Sequence, residues 1–173
     1  AAVNEGITRD DLRPYVYPSD DAIESLGLRG LYLGNYIKWD ALDQARQMVN
    51  EWGFEMHQGQ RERTFNLYAK TDDHCNPVHE WLRYLKFGYG RATDDACTEI
   101  RLGRMSREQG ISMVSLYDHQ RPDENLRYYL DFWGLTYGQV LEAVDPKRDP
   151  RVWQKDAYDW RLLDHVGNHV YDD

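Results

Sequence analysis

The strongest chemical signal in the sequence is a short segment with two glycines and an arginine, Gly88-Tyr89-Gly90-Arg91. Glycine permits a positive φ and lets a ligand approach the backbone closely. Thr93 is a good N-cap, so the sequence predicts a helix that begins there, with free N–H groups directed at the glycines. These N–H groups, the helix dipole and Arg91 would together suit an anion such as a phosphate group.

The charge distribution favours this interpretation. Between His79 and Arg107 the sequence has six Lys/Arg and four Asp/Glu, a local net charge of +2, whereas the whole chain carries −9. The alternative is that Asp94 and Asp95, in the first helical turn, satisfy the dipole themselves and repel an incoming anion. Tyr89 would either stack on a base or sugar, or fill a gap between two helices.

Further candidate contacts lie along the helix that follows. Spacings of three and four residues place two arginines and a carboxylate on one face, because seven residues make nearly two turns. Arginine is suited to bidentate contacts with phosphate or carboxylate, and an ion-pair network on the surface is the alternative. The polar face consists of Asp94, Cys97, Arg101 and Arg104, and the opposite face of Ala92, Ala96 and Ile100.

A second candidate contact is the tripeptide Lys38-Trp39-Asp40, which combines a cation, a flat ring and a carboxylate. Such a group would suit stacking on a sugar and hydrogen bonding to its edge. The alternative is that Trp39 is a hydrophobic staple and Asp40 an N-cap.

No metal site and no catalytic nucleophile are predicted. His74, Cys75 and His79 have no second ligand pair at zinc-finger spacing, and His165 and His169 have a glycine between them. Neither cysteine has a neighbour that would lower its thiol pKa.

Several separated motifs resemble the N-acetyl sugar amidotransferase family of bacterial surface-polysaccharide and LPS O-antigen biosynthesis. The resemblance runs over most of the chain, in the order expected for the family. One departure concerns the start of the family's enzymes, which carry an ATP-pyrophosphatase domain with a Ser-Gly-Gly-x-Asp-Ser loop and cysteine pairs, both missing here. The chain therefore resembles the C-terminal part of such an enzyme. The motifs are Tyr17-Pro18-Ser19-Asp20, residues 33–40, Arg63-Thr64-Phe65-Asn66, the glycine–arginine segment and residues 100–104.

The resemblance implies the reaction and its partners. Family enzymes use ATP and Mg²⁺ to activate an acetamido oxygen, and ammonia from glutaminase and synthase-like subunits then gives an acetamidino group. ATP chemistry would reside in the N-terminal domain, so we expect no bound cofactor in this chain and no activity from it alone. The resemblance also favours ligand contact for Arg91 and Arg101. The alternative function is a stand-alone helical module that binds a sugar nucleotide or docks to a partner without catalysis.

Composition limits the other possibilities. The chain has 173 residues, of which 41% are hydrophobic and 13% aromatic, enough for a packed core. No apolar run approaches the roughly 18 residues that span a membrane, and no signal peptide is visible. Two cysteines give no disulfide framework, which favours a reducing, cytoplasmic setting. A pI near 5.1 argues against nucleic acid as a partner.

Hydrophobic periodicity predicts a mainly α (α+β) fold, a compact bundle of about six short helices with one or two short strands. Residues 1–144 would form one helical domain with a loose lead-in at 1–18, and residues 145–173 an irregular arm that packs on the body or on another domain. A strand is possible at Gly30–Gly34 and extended chain at 63–69. The helices are predicted near 20–26, 40–52, 77–87, 93–102, 106–117, 123–133 and 136–144, with capping boxes at Ser106/Gln109 and Thr136/Gln139.

Overall fold

The computed structural model describes residues 6–163. The chain divides into two compact units, residues 1–40 and residues 41–173. The described part is mainly helical and has one two-stranded antiparallel sheet, so the predicted fold class is confirmed. The predicted boundary at residue 144 stays a prediction. Among the described residues, no helix is both long and apolar enough to cross a bilayer.

The first unit consists of short elements that bury almost nothing. Helix α1 (Arg9–Leu12) starts with a capping box, and α2 (Asp20–Ser25) starts at Ser19, whose hydroxyl accepts a hydrogen bond from the Ala22 N–H at 3.3 Å. Neither helix has a buried residue, as expected for helices too short to present a continuous apolar face. Its many exposed apolar side chains include Tyr15, Tyr17, Leu26, Tyr32, Tyr36 and Trp39.

The second unit contains six helices among its described residues. Three of them meet in a core made by Val78, Trp81 and Leu85 together with Leu126 and Val140. The capping boxes at Ser106 and Thr136 are both present, which confirms these two predicted helix starts. The helices are α3 (Ala41–Trp52), α4 (Cys75–Phe87), α5 (Arg91–Arg101), α6 (Arg107–Tyr117), α7 (Asp123–Trp133) and α8 (Tyr137–Val144).

Helices α5 and α6 pack closely at a small residue. A Cβ atom built at Gly110 of α6 would lie 2.8 Å from the Ile100 side chain of α5. Ala92 and Ala96, on the same side of α5, are buried as predicted. Absence of a side chain at Gly110 therefore lets the two helices approach, and fixes which face of α5 points outward.

The strands lie in the predicted C-terminal arm. Strands β1 (Trp153–Lys155) and β2 (Trp160–Leu162) pair antiparallel, with Trp153 opposite Leu162. The Trp153 ring meets the Tyr84 ring of α4 edge-on, at 5.5 Å between centroids. The described part of the arm therefore packs on the helical body, which was one of the two predicted arrangements.

The predicted start of α5 was wrong, and the two segments for which a strand or extended chain was one possibility form no strand. Helix α5 begins at Arg91 with Gly90 as its N-cap, two residues before the predicted start at Thr93. No strand forms at Gly30–Gly34, where the chain is irregular up to a 3₁₀ turn at Leu33–Asn35, and none forms at 63–69. In the first case the reason is tertiary, because the cap is supplied by a distant carboxylate. In the other two, no neighbouring strand supplies the ladder hydrogen bonds that an extended segment needs.

Residues 53–74 form a long loop without helix or strand, which we call the 53–74 loop. Irregular loops longer than roughly 12–15 residues are uncommon in compact domains and are often functional. Three hydrogen bonds from the Arg61 guanidinium hold this loop together: to the carbonyl oxygens of Asn66 (2.7 Å), Ala69 (2.6 Å) and Lys70 (2.7 Å). The loop is thus tied into one conformation by its own side chain.

Candidate functional site

The N-terminus of α5 is occupied by a carboxylate of the same chain. Asp118, directly after α6, accepts hydrogen bonds from the N–H of Gly90 (2.8 Å), the N–H of Ala92 (2.9 Å) and the hydroxyl of Thr93 (2.5 Å). Asp118 is only 3% exposed. The N-terminus of α5 is therefore satisfied by an internal carboxylate, whereas the sequence predicted free amides that would suit an external anion such as phosphate. The amides at this helix start are those of Gly90 and Ala92, and both are occupied.

Arg63 lies beside this carboxylate and is almost completely buried, with 1% of its surface exposed. Its guanidinium donates to the carbonyl oxygens of Asp118, Gln120 (2.6 Å) and Glu80 (3.1 Å), and it lies 5.2 Å from the centre of the Tyr84 ring. Burial lowers the pKa of Arg63 to about 10, and the charge of Asp118 opposes that shift. The guanidinium is therefore still charged at neutral pH.

The two glycines have different structural roles around this pair. Gly88 ends α4 with φ of 81°, a left-handed conformation that glycine adopts without strain. Gly90 has an ordinary φ, but a Cβ atom there would lie 2.6 Å from the Arg63 guanidinium and 2.7 Å from the Asp118 carboxylate. Glycine is therefore required at position 90 because a side chain there would collide with Arg63 and Asp118. We call Arg63, Gly90, Thr93 and Asp118 the Asp118 junction.

Arg91 is held by a second internal carboxylate. Its guanidinium contacts Asp95 at 3.0 and 3.1 Å, and Asp95 also accepts a 2.5 Å hydrogen bond from the Thr64 hydroxyl. The space enclosed by Arg91, Arg61 and their neighbours has a volume of about 20 Å³. Such a volume holds about one water molecule, which is too little for a phosphate group.

The remaining predicted site residues have separate environments. Tyr89 is about half exposed, and the Arg83 guanidinium lies 5.0 Å from its ring centre. Arg83 bonds in turn to Asp94 at 2.8 Å. Arg101 is exposed and donates to the Thr98 hydroxyl at 3.2 Å. In the structure, residues 88–94 therefore lie together at the start of α5, and Arg101 lies at the other end of this helix.

Three further residues complete the comparison with the predicted site. Arg104 lies three residues beyond the end of α5, so it is not part of the predicted helical face, and it forms a two-point ion pair with Glu99, at 2.6 and 2.8 Å. Lys38 and Trp39 belong to the first unit, and both are exposed, Trp39 at 59%.

The sequence assigns no structural role to two residues that organise this region. Arg63 begins one of the motifs of the resemblance, but that motif gives it no role, and Asp118 belongs to none of the motifs. Both are charged residues beside other polar residues, where a solvated side chain is the usual outcome. Their roles arise from contacts between residues more than 25 positions apart in the sequence.

A larger cavity is lined in part by Asp95. It has a volume of about 310 Å³, at the lower end of the size typical of small-molecule sites. We call it the Phe65 pocket. It lies between α3, the 53–74 loop and α5, and is lined by Leu42, Met56, Phe65, Asn66, Leu67, Tyr68, Asp95, Glu99 and Met105.

Metal ligands are not grouped in the described part of the chain. Among residues 6–163, no three His, Cys, Asp or Glu side chains come close enough to hold an ion. His74 instead contacts the Asn125 side-chain oxygen at 2.8 Å and stacks on Tyr128. His165 and His169 lie outside the described residues.

Comparison with known proteins assigns this architecture to a family. Residues 62–166, more than half of the chain, match the model described as "LPS biosynthesis protein WbpG-like, C-terminal domain". The chain belongs to this family. No curated protein matches the chain. The matched region begins one residue before Arg63 and includes the whole Asp118 junction, so family membership and the site refer to the same part of the molecule. A role in LPS biosynthesis follows from the family.

Proposed function

We propose that the chain is the C-terminal, substrate-binding and structural part of an ATP-dependent amidotransferase that acts on a sugar N-acetyl group during LPS biosynthesis. The observation that carries this proposal is the match of residues 62–166 to the C-terminal domain of an LPS biosynthesis family. The reaction type comes from the resemblance of residues 33–40, 63–66 and 88–91 to the N-acetyl sugar amidotransferases.

The reaction needs activation because an amide oxygen is a poor leaving group. The acetamido oxygen attacks the α-phosphorus of ATP, which is bound with Mg²⁺, and pyrophosphate leaves. Ammonia then adds to the activated carbon, AMP departs with the former amide oxygen, and loss of a proton from the added nitrogen gives the acetamidino group. Positioning of the sugar and exclusion of water are the contributions that a substrate-binding part would make.

The geometry of this chain supports a binding and structural contribution rather than the ATP step. The amides of Gly90 and Ala92 already bond to Asp118, and the cleft beside Arg91 has room for about one water molecule, at about 20 Å³. We therefore assign ATP binding to an ATP-pyrophosphatase domain, and ammonia supply to glutaminase and synthase-like subunits.

The predicted site residues stay part of this proposal. Those around the Asp118 junction hold the start of α5 in place and so position the walls of the Phe65 pocket, which is an indirect contribution to substrate binding. Direct contact with phosphate remains a prediction for the exposed residues. The full predicted set is Gly88, Tyr89, Gly90, Arg91, Thr93, Asp94, Arg101, Lys38 and Trp39.

The proposal is tested by an amidotransfer assay with ATP, Mg²⁺, ammonia and an acetamido-sugar nucleotide, with mass spectrometry of the sugar. We expect no acetamidino product from the chain alone. We expect product when an ATP-pyrophosphatase domain with the Ser-Gly-Gly-x-Asp-Ser loop is supplied, in the same polypeptide or as a separate subunit. Product from the chain alone contradicts the division of labour, and no product from the combination contradicts the amidotransferase assignment.

A further inference from the structure

The Phe65 pocket combines apolar walls with a polar edge. Its walls include the aromatic side chains of Phe65 and Tyr68 and the flexible side chains of Met56 and Met105. Aromatic rings offer flat apolar faces, and methionine adapts its shape to an irregular ligand. These walls suit a compact ring with C–H groups on its faces.

The polar edge is formed by α5, where Asp95 and Glu99 lie one turn apart and face the same side. Arg91 neutralises Asp95 at 3.0 Å, and Arg104 neutralises Glu99 with two contacts at 2.6 and 2.8 Å. Neither arginine lines the pocket. The edge therefore presents oxygen acceptors to the cavity with little net charge.

The two carboxylates differ in how many hydrogen bonds they still accept. A carboxylate has about four acceptor positions. Asp95 already accepts from the Thr64 hydroxyl, from the Arg91 guanidinium at both oxygens, and at 3.5 Å from the Asn66 amide. Glu99 accepts one hydrogen bond from Arg104 at each oxygen, which uses about half of its capacity. Glu99 is therefore the acceptor for a ligand.

An anionic group does not suit this pocket. A phosphate group accepts hydrogen bonds and needs donors, whereas the carboxylates of Asp95 and Glu99 are acceptors. A hydroxyl or amide N–H of a neutral ring supplies the donors that Glu99 lacks. The volume of about 310 Å³ accommodates a ring of this kind and leaves no room for a nucleotide beside it.

We propose that the Phe65 pocket binds the neutral ring of an acetamido sugar, with the ring against Phe65 and Tyr68 and a ring hydroxyl or amide N–H donating to Glu99. This inference rests on the proposed function for the choice of an acetamido sugar among neutral rings. The phosphate groups of a sugar nucleotide then remain outside the pocket.

The test uses the whole 173-residue chain and three probes: N-acetylglucosamine, N-acetylgalactosamine and UDP-N-acetylglucosamine. Saturation-transfer NMR should place the strongest contacts on the sugar ring and the acetyl group, and weaker ones on the uridine. Binding of at least one probe in this way supports the proposal. Contacts strongest on the uridine, or no binding by any probe, overturn it.

A matched pair of variants locates the binding. Leu42→Trp places a large ring in the pocket, whereas Met48→Trp places the same ring on an exposed part of the same helix. We expect Leu42→Trp to weaken sugar binding by about tenfold or more, and Met48→Trp to change it by less than about twofold. Circular dichroism checks that both variants fold. Equal effects of the two variants place the sugar elsewhere and overturn the proposal.

Glu99→Gln tests the hydrogen bond. The change keeps the shape and one acceptor oxygen but removes the charge and half of the acceptor capacity. We expect sugar binding weakened by about three- to tenfold, because a weaker neutral acceptor replaces the charged one and part of the hydrogen bond is kept. Unchanged binding removes Glu99 from the site.

The amidotransfer assay separates this inference from the proposed function. If Leu42→Trp leaves product formation unchanged, the sugar does not bind in the pocket, but the proposed reaction stands. If Leu42→Trp blocks sugar binding but no condition gives product, the sugar does bind in the pocket and the proposed reaction is wrong.

Discussion

The Asp118 junction lies at the N-terminus of α5, the Phe65 pocket is bordered by Asp95 and Glu99 further along the same helix, and the two regions use polar groups in opposite ways. At the junction, the Asp118 carboxylate faces three donors and is 3% exposed. At the pocket, carboxylate edges border a cavity of about 310 Å³. Glycines and charge in the sequence point to the junction, but the open space is at the pocket. Polar residues in a motif therefore show where an anion is bound, without showing whether that anion is a ligand.

The largest effect is expected from removing the central anion. Asp118→Ala leaves the buried Arg63 without its nearby negative charge and leaves three donors unpaired, so we expect the free energy of unfolding to fall by about 3–5 kcal/mol. Urea denaturation of the purified chain measures it. Asp131→Ala, a carboxylate on the exposed surface of α7, is the matched control and should change stability by less than about 0.5 kcal/mol. Equal losses for both variants would mean that the junction is not an internal anchor.

A smaller effect is expected from filling the space at the junction. Gly90→Ala puts a Cβ atom 2.6 Å from the Arg63 guanidinium, and we expect a loss of about 1–3 kcal/mol in unfolding free energy. Gly30→Ala makes the same change where no atom lies within 4 Å and φ is not positive. In thermal unfolding, Gly90→Ala should therefore have a lower midpoint temperature than Gly30→Ala. A Gly90→Ala protein as stable as the parent would indicate that the junction is looser than described.

A still smaller effect is expected on phosphate binding beside Arg91. Arg91 is already paired with Asp95, and the cleft beside it is small. We therefore expect titration calorimetry with pyrophosphate to give the same result for Arg91→Ala and for the unmodified chain. Pyrophosphate binding that disappears in Arg91→Ala would restore the phosphate site that the sequence predicted. It would also reverse the comparison, because the start of α5 would then bind a ligand.

The smallest effect is expected from an ion pair outside both regions. Hydrogen bonds from the side chain and backbone of Arg151 lower the pKa of Asp149 to about 2. Because the folded-state pKa is the lower one, this stabilisation is present above pH 3.8 and is lost as the pH falls towards 2. Arg151→Ala should raise the pKa of Asp149 towards its ordinary value in an NMR titration. Since Arg151 is exposed, we expect little change in stability at neutral pH, in contrast to Asp118→Ala.

Much of the helical framework was predictable because its determinants are local. The capping boxes at Ser106 and Thr136 start α6 and α8, and glycines at 53, 88 and 134 end the preceding helices with positive φ. These signals depend on residues within one turn of the helix end. Hydrophobic periodicity is a weaker guide to burial: Leu126 on the apolar face of α7 is buried, whereas Trp52, which has the helical spacing of the apolar residues of α3, is exposed.

The site was less predictable because its contacts are distant in sequence. The glycine–arginine segment was predicted to bind an external anion such as phosphate, and in the structure its amides bond to a carboxylate of the same chain. Its anion comes from Asp118, 28 residues after Gly90, and the neighbouring guanidinium from Arg63, 55 residues before Asp118. No pattern of neighbouring residues in the sequence predicts such pairs. The start of α5 was misplaced for the same reason, since a carboxylate outside the helix supplies its cap.

The sequence by itself determined the helical class and most helix ends, because backbone hydrogen bonding and capping act over a few residues. Only the tertiary structure decided that Asp118 satisfies the start of α5 and that Asp95 and Glu99 border the Phe65 pocket. Helix packing and the 53–74 loop bring those groups together, and burial then fixes which carboxylates are satisfied by the chain and which border open space.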